Sequence, residues 1–88
     1  MAHAALVGPD GIVREVHVIA NSDLEHDGQW PASEPSLRAF QSRLGLDVIG
    51  CTWYQCSYSA SFRGSFPSAG WLYDQAADMF VAPTITAP

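Results

Sequence analysis

Two thiols, three imidazoles and one pair of closely spaced carboxylates are the side chains of this sequence best suited to chemistry. Cys51 and Cys56 come first, because two thiols can form a disulfide or share a metal ion. Their spacing along the chain speaks against both. On a strand, an odd separation sends side chains to opposite faces, and this one sets the thiols roughly 16 Å apart, beyond the reach of a disulfide. Zinc would need two further ligands, and the sequence holds neither of the close Cys or His pairings that structural zinc sites use. Ordinary buried thiols are expected, with an intermolecular disulfide as the alternative in oxidising surroundings.

His3, His17 and His26, with Glu15 or Asp23, would make a metal site only if the chain brought imidazoles together across neighbouring strands. That depends on a turn. Gly8-Pro9-Asp10-Gly11 separates two apolar, β-rich runs, and this predicts a hairpin over residues 2–19. Pro9 and Asp10 suit the central positions of a type I turn, with Gly11 left-handed after them. Such a three-residue loop pairs His3 with His17. A two-residue loop pairs His3 with Val16 instead, turning every side chain over. Surface histidines are the expectation, with no metal and no cofactor. Asp74 and Asp78 flank a short loop, where Asp binds turn backbone. The sequence has no G-x-S-x-G elbow, no Gly-rich phosphate loop and no H-E-x-x-H. No catalytic residue is assigned.

The elements that must position these groups can be read from pattern. Asn21 to Pro31 reads as an acidic connecting loop that Trp30 anchors. From Ser33, a capping-type residue, Glu34 and Pro35 open a helix carrying Leu37, Phe40 and Leu44, and Gly45 stops it. Strands are predicted over residues 51–59 and 62–66, and a closing hairpin over 71–73 and 79–82 with Asp74 to Asp78 as its loop. The class is α+β: an N-terminal hairpin, one short helix and a C-terminal β-meander. One domain over residues 1–83 is expected, followed by an extended tail over 84–88.

The chain has 88 residues, 48% hydrophobic, with no Lys, four Arg and a net charge of −5. One domain is its ceiling. Arg14, Arg38, Arg43 and Arg63 are scattered among carboxylates, which argues against a phosphate-tracking surface and hence against nucleic acid. No apolar run approaches a membrane span and no signal peptide opens the chain, so it is expected to be made in a cytoplasm and to have no membrane partner. Aromatics are dense for this length. Trp30, Trp53 and Trp71 are the candidate residues of a protein interface, since Trp combines large contact area with a polar handle.

Three motifs dominate the C-terminal half: Trp53-Tyr54-Gln55-Cys56-Ser57-Tyr58, Phe62-Arg63-Gly64-Ser65-Phe66, and Gly70-Trp71-Leu72-Tyr73-Asp74 continuing to Asp78-Met79-Phe80-Val81-Ala82-Pro83. In order and spacing they resemble W-x-Q-T-S-Y, F-R-x-x-F/Y and G-x-x-Y-D-x-x-x-D-x-F-x-x-P of a family of small structural proteins of tailed bacteriophages, notably those infecting marine bacteria and cyanobacteria. The N-terminal hairpin is similar too. The chain departs from the pattern at Cys56, where Thr is usual, at Pro67-Ser68-Ala69, and in ending soon after Pro83, where longer members continue. The resemblance brings no catalytic residues. It implies a virion structural protein assembled in the host cytoplasm; with the small size and acidity of the chain, the first reading is a non-enzymatic capsid decoration (cement) protein bound to the phage capsid protein, with possible self-association. A tail-fibre, baseplate or neck accessory protein bound to tail proteins is the alternative, and a small host-directed or enzymatic protein the third reading.

Overall fold

A computed structural model describes residues 1–83; the tail expected over residues 84–88 lies outside them. Its first two strands, β1 (Ala2–Val7) and β2 (Val13–Ile19), are joined by the three-residue loop that the sequence predicts. The Gly8 amide donates to the Ile12 carbonyl and the Gly11 amide to the Gly8 carbonyl, both at 2.9 Å. Gly11 takes the left-handed conformation, φ 79°. The register beside the turn follows, with Val7 opposite Val13, but Leu6 then faces Glu15. Arg14 is the extra residue of a β-bulge.

This bulge overturns the expected histidine pairing. Beyond it Ala4 faces His17 and His3 faces Val18, so neither the His3–His17 nor the His3–Val16 pair forms. The two imidazoles lie on opposite faces of the sheet. The physical reason lies in the valines: a regular strand would send Val13 and Val16 to opposite faces, whereas both pack into one cluster with Ala5 and Val7. Arg14, displaced outward, bonds Asp10 in the turn at 3.1 Å.

Strand β3 (Thr52–Cys56) pairs antiparallel with the other edge of β1, which gives the order β2-β1-β3. Thus β1 has a strand on each side and a packed layer on each face. Ala4 and Ala5 have no solvent exposure and point in opposite directions. Toward one face Ala2, Ala4 and Leu6 meet Leu37 of helix α1 (Glu34–Arg43) together with Trp53. Toward the other, Ala5, Val7 and Cys56 meet Phe80 of the hairpin β4 (Leu72–Asp74) and β5 (Met79–Val81). Small residues on the middle strand let both layers approach closely. The class is α+β in one small domain.

Local chemistry sets the remaining boundaries. Pro35 sits in the first turn of α1, and Gly45, with φ 72°, closes its C-terminus as the Leu46 amide returns to the Gln41 carbonyl. Ser33 does not cap: its hydroxyl is buried and donates to Gln55 Oε1 at 2.5 Å. The acidic connection is two short 3-10 turns, Asn21–Asp23 and Glu25–Gly28, with Leu24 buried between them. β3 ends earlier than predicted because Ser57 Oγ accepts the Ser61 amide and turns the chain. The strand expected over residues 62–66 does not form, since Arg63 and Gly64 are both left-handed, with φ 55° and 78°.

Because β1 is covered on both faces, Ala5→Leu should cost about 1–3 kcal/mol through overpacking. Urea unfolding followed by tryptophan fluorescence will measure it.

Candidate functional site

The left-handed backbone at Arg63 turns its guanidinium inward, and its side chain is only 8% exposed. A buried cation is costly unless paired and hydrogen-bonded, and here it is both. Its Nη1 donates to Glu34 Oε2 and, at 2.9 Å, to the Gln55 carbonyl. Nη2 donates to Glu34 Oε1 at 3.3 Å, and Nε to Asp78 Oδ1 at 2.7 Å. The rings of Tyr54, Trp30 and Tyr73 stand 5.2, 5.4 and 5.7 Å from the guanidinium carbon, within the range of cation–π attraction. Burial alone would lower the pKa of Arg63, but the bonds to Glu34 and Asp78 outweigh it and the cation is held more firmly than usual.

Asp78 receives the Tyr73 hydroxyl as well. That bond first, and Arg63 second, hold its carboxyl below the ordinary range, while burial and the same carboxylate push the Tyr73 phenol up. Asp78 therefore serves the arginine, whereas the turn chemistry expected of both carboxylates belongs to Asp74, which accepts the amides of Ala76 and Ala77. Neither Arg63 nor Glu34 lines the three grooves bordered by Val18, Gly50 and Phe62. The cluster ties a helix, a strand and a hairpin together.

The same side chains close one edge of the sheet. Gln55 and Trp53 turn their backbone groups outward from β3; the Gln55 amide donates to Glu34 at 2.7 Å, its carbonyl accepts Arg63, and the Trp53 carbonyl accepts Arg38 Nε at 2.7 Å. An unpaired edge is thereby occupied by charge.

The chemically suggestive groups are dispersed or passivated. His3 stands directly opposite Cys56 across the sheet, a pairing that resembles a nucleophile and its base. Burial pushes the Cys56 thiol up to about 12, so it stays protonated at neutral pH. His3, packed against Tyr58 and edge-on to Phe66, is lowered by burial and by the N-terminal amine. His17 lies across the sheet, against Trp53 and bonded to Gln41. Cys51 packs on the helix side and Cys56 on the hairpin side, and both are free. Among the described residues no three His, Cys, Asp or Glu side chains gather as a metal ion requires, and no helix is long and apolar enough to cross a membrane.

The three tryptophans do not form one patch. Trp53 is 3% exposed and donates its indole N–H to the Leu46 carbonyl, so its place is the core. Trp30 is half-buried, stacked on Phe62 at 4.4 Å, and Trp71 is half-buried against the hairpin-side cluster. Apart from Met1 and from Leu44, Val48 and Ile49 at and beyond the end of α1, the exposed large apolar side chains fall in two areas. Tyr73 and Phe80 pair across the closing hairpin and point inward, which leaves Leu72, Met79 and Val81 outward at 41, 43 and 44% exposure. Strand alternation in Leu72-Tyr73 and Phe80-Val81 carries that signal in the sequence. A second apolar area is a groove of about 410 Å³ between β2 and the loop after β3, lined by His3, Val16, Val18, Tyr58 and Phe66. Comparison with protein-family models, with curated proteins and with solved structures finds no match to this chain.

Two outcomes follow from this geometry. Arg63→Ala leaves the Glu34 carboxylate buried beside one partly exposed cation and should cost about 3–5 kcal/mol, measured by urea unfolding. In the native protein Cys56 should resist iodoacetamide at mildly alkaline pH while half-buried Cys51 is alkylated, with the second mass increment appearing only on unfolding.

Proposed function

We propose that this chain is a structural, non-enzymatic protein of a tailed-phage particle, a capsid decoration protein that binds the assembled lattice of the phage capsid protein. The observation that carries the reading is the outer face of the closing hairpin. Its inward rings, Tyr73 and Phe80, and its half-exposed Asp78 are engaged within the fold, whereas Leu72, Met79 and Val81 are offered to solvent side by side. Contiguous apolar surface on a small protein marks a partner site. The motifs through which the chain resembles phage structural proteins are the ones that build this hairpin and its Arg63 anchor. The contact surface accordingly shifts from Trp30, Trp53 and Trp71 to these three residues. A −5 chain with scattered arginines suits a protein partner better than nucleic acid.

Decoration proteins stabilise a shell by mass action, since binding only the assembled lattice draws the equilibrium toward it. Particles lacking this protein should open at lower temperature, and added protein should restore resistance in a concentration-dependent way. Leu72→Asp combined with Val81→Asp should leave the circular dichroism spectrum unchanged. If the pair is a hot spot worth about 2 kcal/mol or more, occupancy of depleted particles falls at least about 30-fold. Unchanged resistance of depleted particles, with the labelled protein found on tails, would replace the capsid reading by the tail-accessory one.

A further inference from the structure

The two edges of the three-stranded sheet are treated differently. Glu34, Arg38 and Arg63 occupy the outer edge of β3. On β2 the arrangement follows from alternation. Because Trp53 and Gln55 point their backbone groups away from β1, Ala5 directs its own toward β3, and Ala4 and Leu6 direct theirs toward β2. His17 and Glu15 answer them, which leaves the amides and carbonyls of Val16 and Val18 facing outward. Among the described residues nothing bonds to them. Among the described residues, cover is limited to the start of this edge: Val13 donates to the Trp71 carbonyl and accepts the Gly70 amide, both at 2.8 Å.

The open stretch is also apolar on one side. Val16 and Val18 border the groove beside His3, Tyr58 and Phe66, and Val18 is 57% exposed. Glu15 and His17 alternate on the other side. A bare edge with an apolar flank is a template for another strand, and this edge is complementary to itself.

We infer that β2 pairs antiparallel with β2 of a second copy of this chain, about a two-fold axis at His17. In that register Val16 faces Val18 of the second copy, and Val18 faces its Val16. All the open backbone groups are then satisfied by about four new hydrogen bonds, and four valines meet beside the two grooves. The polar side of the strand accommodates this register, with His17 meeting its own counterpart at the axis. Glu15 of each copy lies diagonal to His17 of the other, within the reach of cross-strand neighbours, and it already approaches its own His17 at 3.7 Å. The Gly70–Trp71 cover selects this register. An axis at Val16 would drive Ile19 of the second copy against Val13, where that segment sits, whereas the axis at His17 places it opposite Glu15. The interface is isologous and closes at two copies.

The test uses the full chain. Sedimentation equilibrium from low to high micromolar concentration should show a monomer–dimer equilibrium, with the Val16 and Val18 amides slow to exchange in the dimer. Val18→Lys places a charge among the paired valines and, at an exposed position, keeps the monomer folded by circular dichroism; it should weaken dimerisation at least about tenfold, equivalent to about 1.4 kcal/mol. The Leu72→Asp, Val81→Asp variant should dimerise like the parent, which separates this inference from the capsid contact. A parent that stays monomeric throughout overturns it, as does a dimer that Val18→Lys leaves intact. A chain ending at Pro83 that dimerises when the full chain does not would assign the edge to residues 84–88.

Discussion

The fold hangs on a buried cation. Arg63 is the point at which α1, β3 and the β4–β5 hairpin meet, through Glu34, the Gln55 carbonyl and Asp78. Dispersion contacts alone leave such layers free to slide, but a planar guanidinium with fixed donor directions admits few arrangements. The three rings around it exclude water and strengthen each bond. Lysine could not replace it, having one point charge where three acceptors must be reached at once.

This constraint accounts for how the chemically promising residues are engaged. Glu34, Asp78 and Tyr73 would look like a general acid–base set in an open cleft; here each is consumed by the arginine or by the others. Cys56 and His3 face one another, but burial holds the thiol protonated and lowers the pKa of the imidazole. Leu72, Met79 and Val81 stay exposed on the hairpin that the network holds in place.

Much of the fold was legible in the sequence. The Gly8-Pro9-Asp10-Gly11 turn, the helix from Glu34 to its Gly45 stop and the Tyr73–Phe80 pair all follow from local rules, because each depends on residues close in the chain. The bulge at Arg14 did not, since its cause is a demand of distant packing, that Val13 and Val16 share one face. Arg63 was likewise invisible: a strand pattern of alternating aromatics and small residues conceals a left-handed backbone that only its distant partners stabilise. Trp53 illustrates the limit for the candidate interface. Side-chain type alone makes any tryptophan eligible, and only tertiary context separates the one in the core from those near the surface.

The central place of β1 has a consequence for how the protein comes into being. This strand is the earliest in the described chain, yet it acquires its second neighbour only with residues 52–56 and the cover of its hairpin-side face only with Phe80. A nascent chain therefore carries Ala2–Val7 half-paired until residues 52–56 have been made. A pairing so distant in sequence raises the contact order of the fold and slows its formation. Until the last strand emerges, the apolar first strand is exposed to other growing chains and to chaperones.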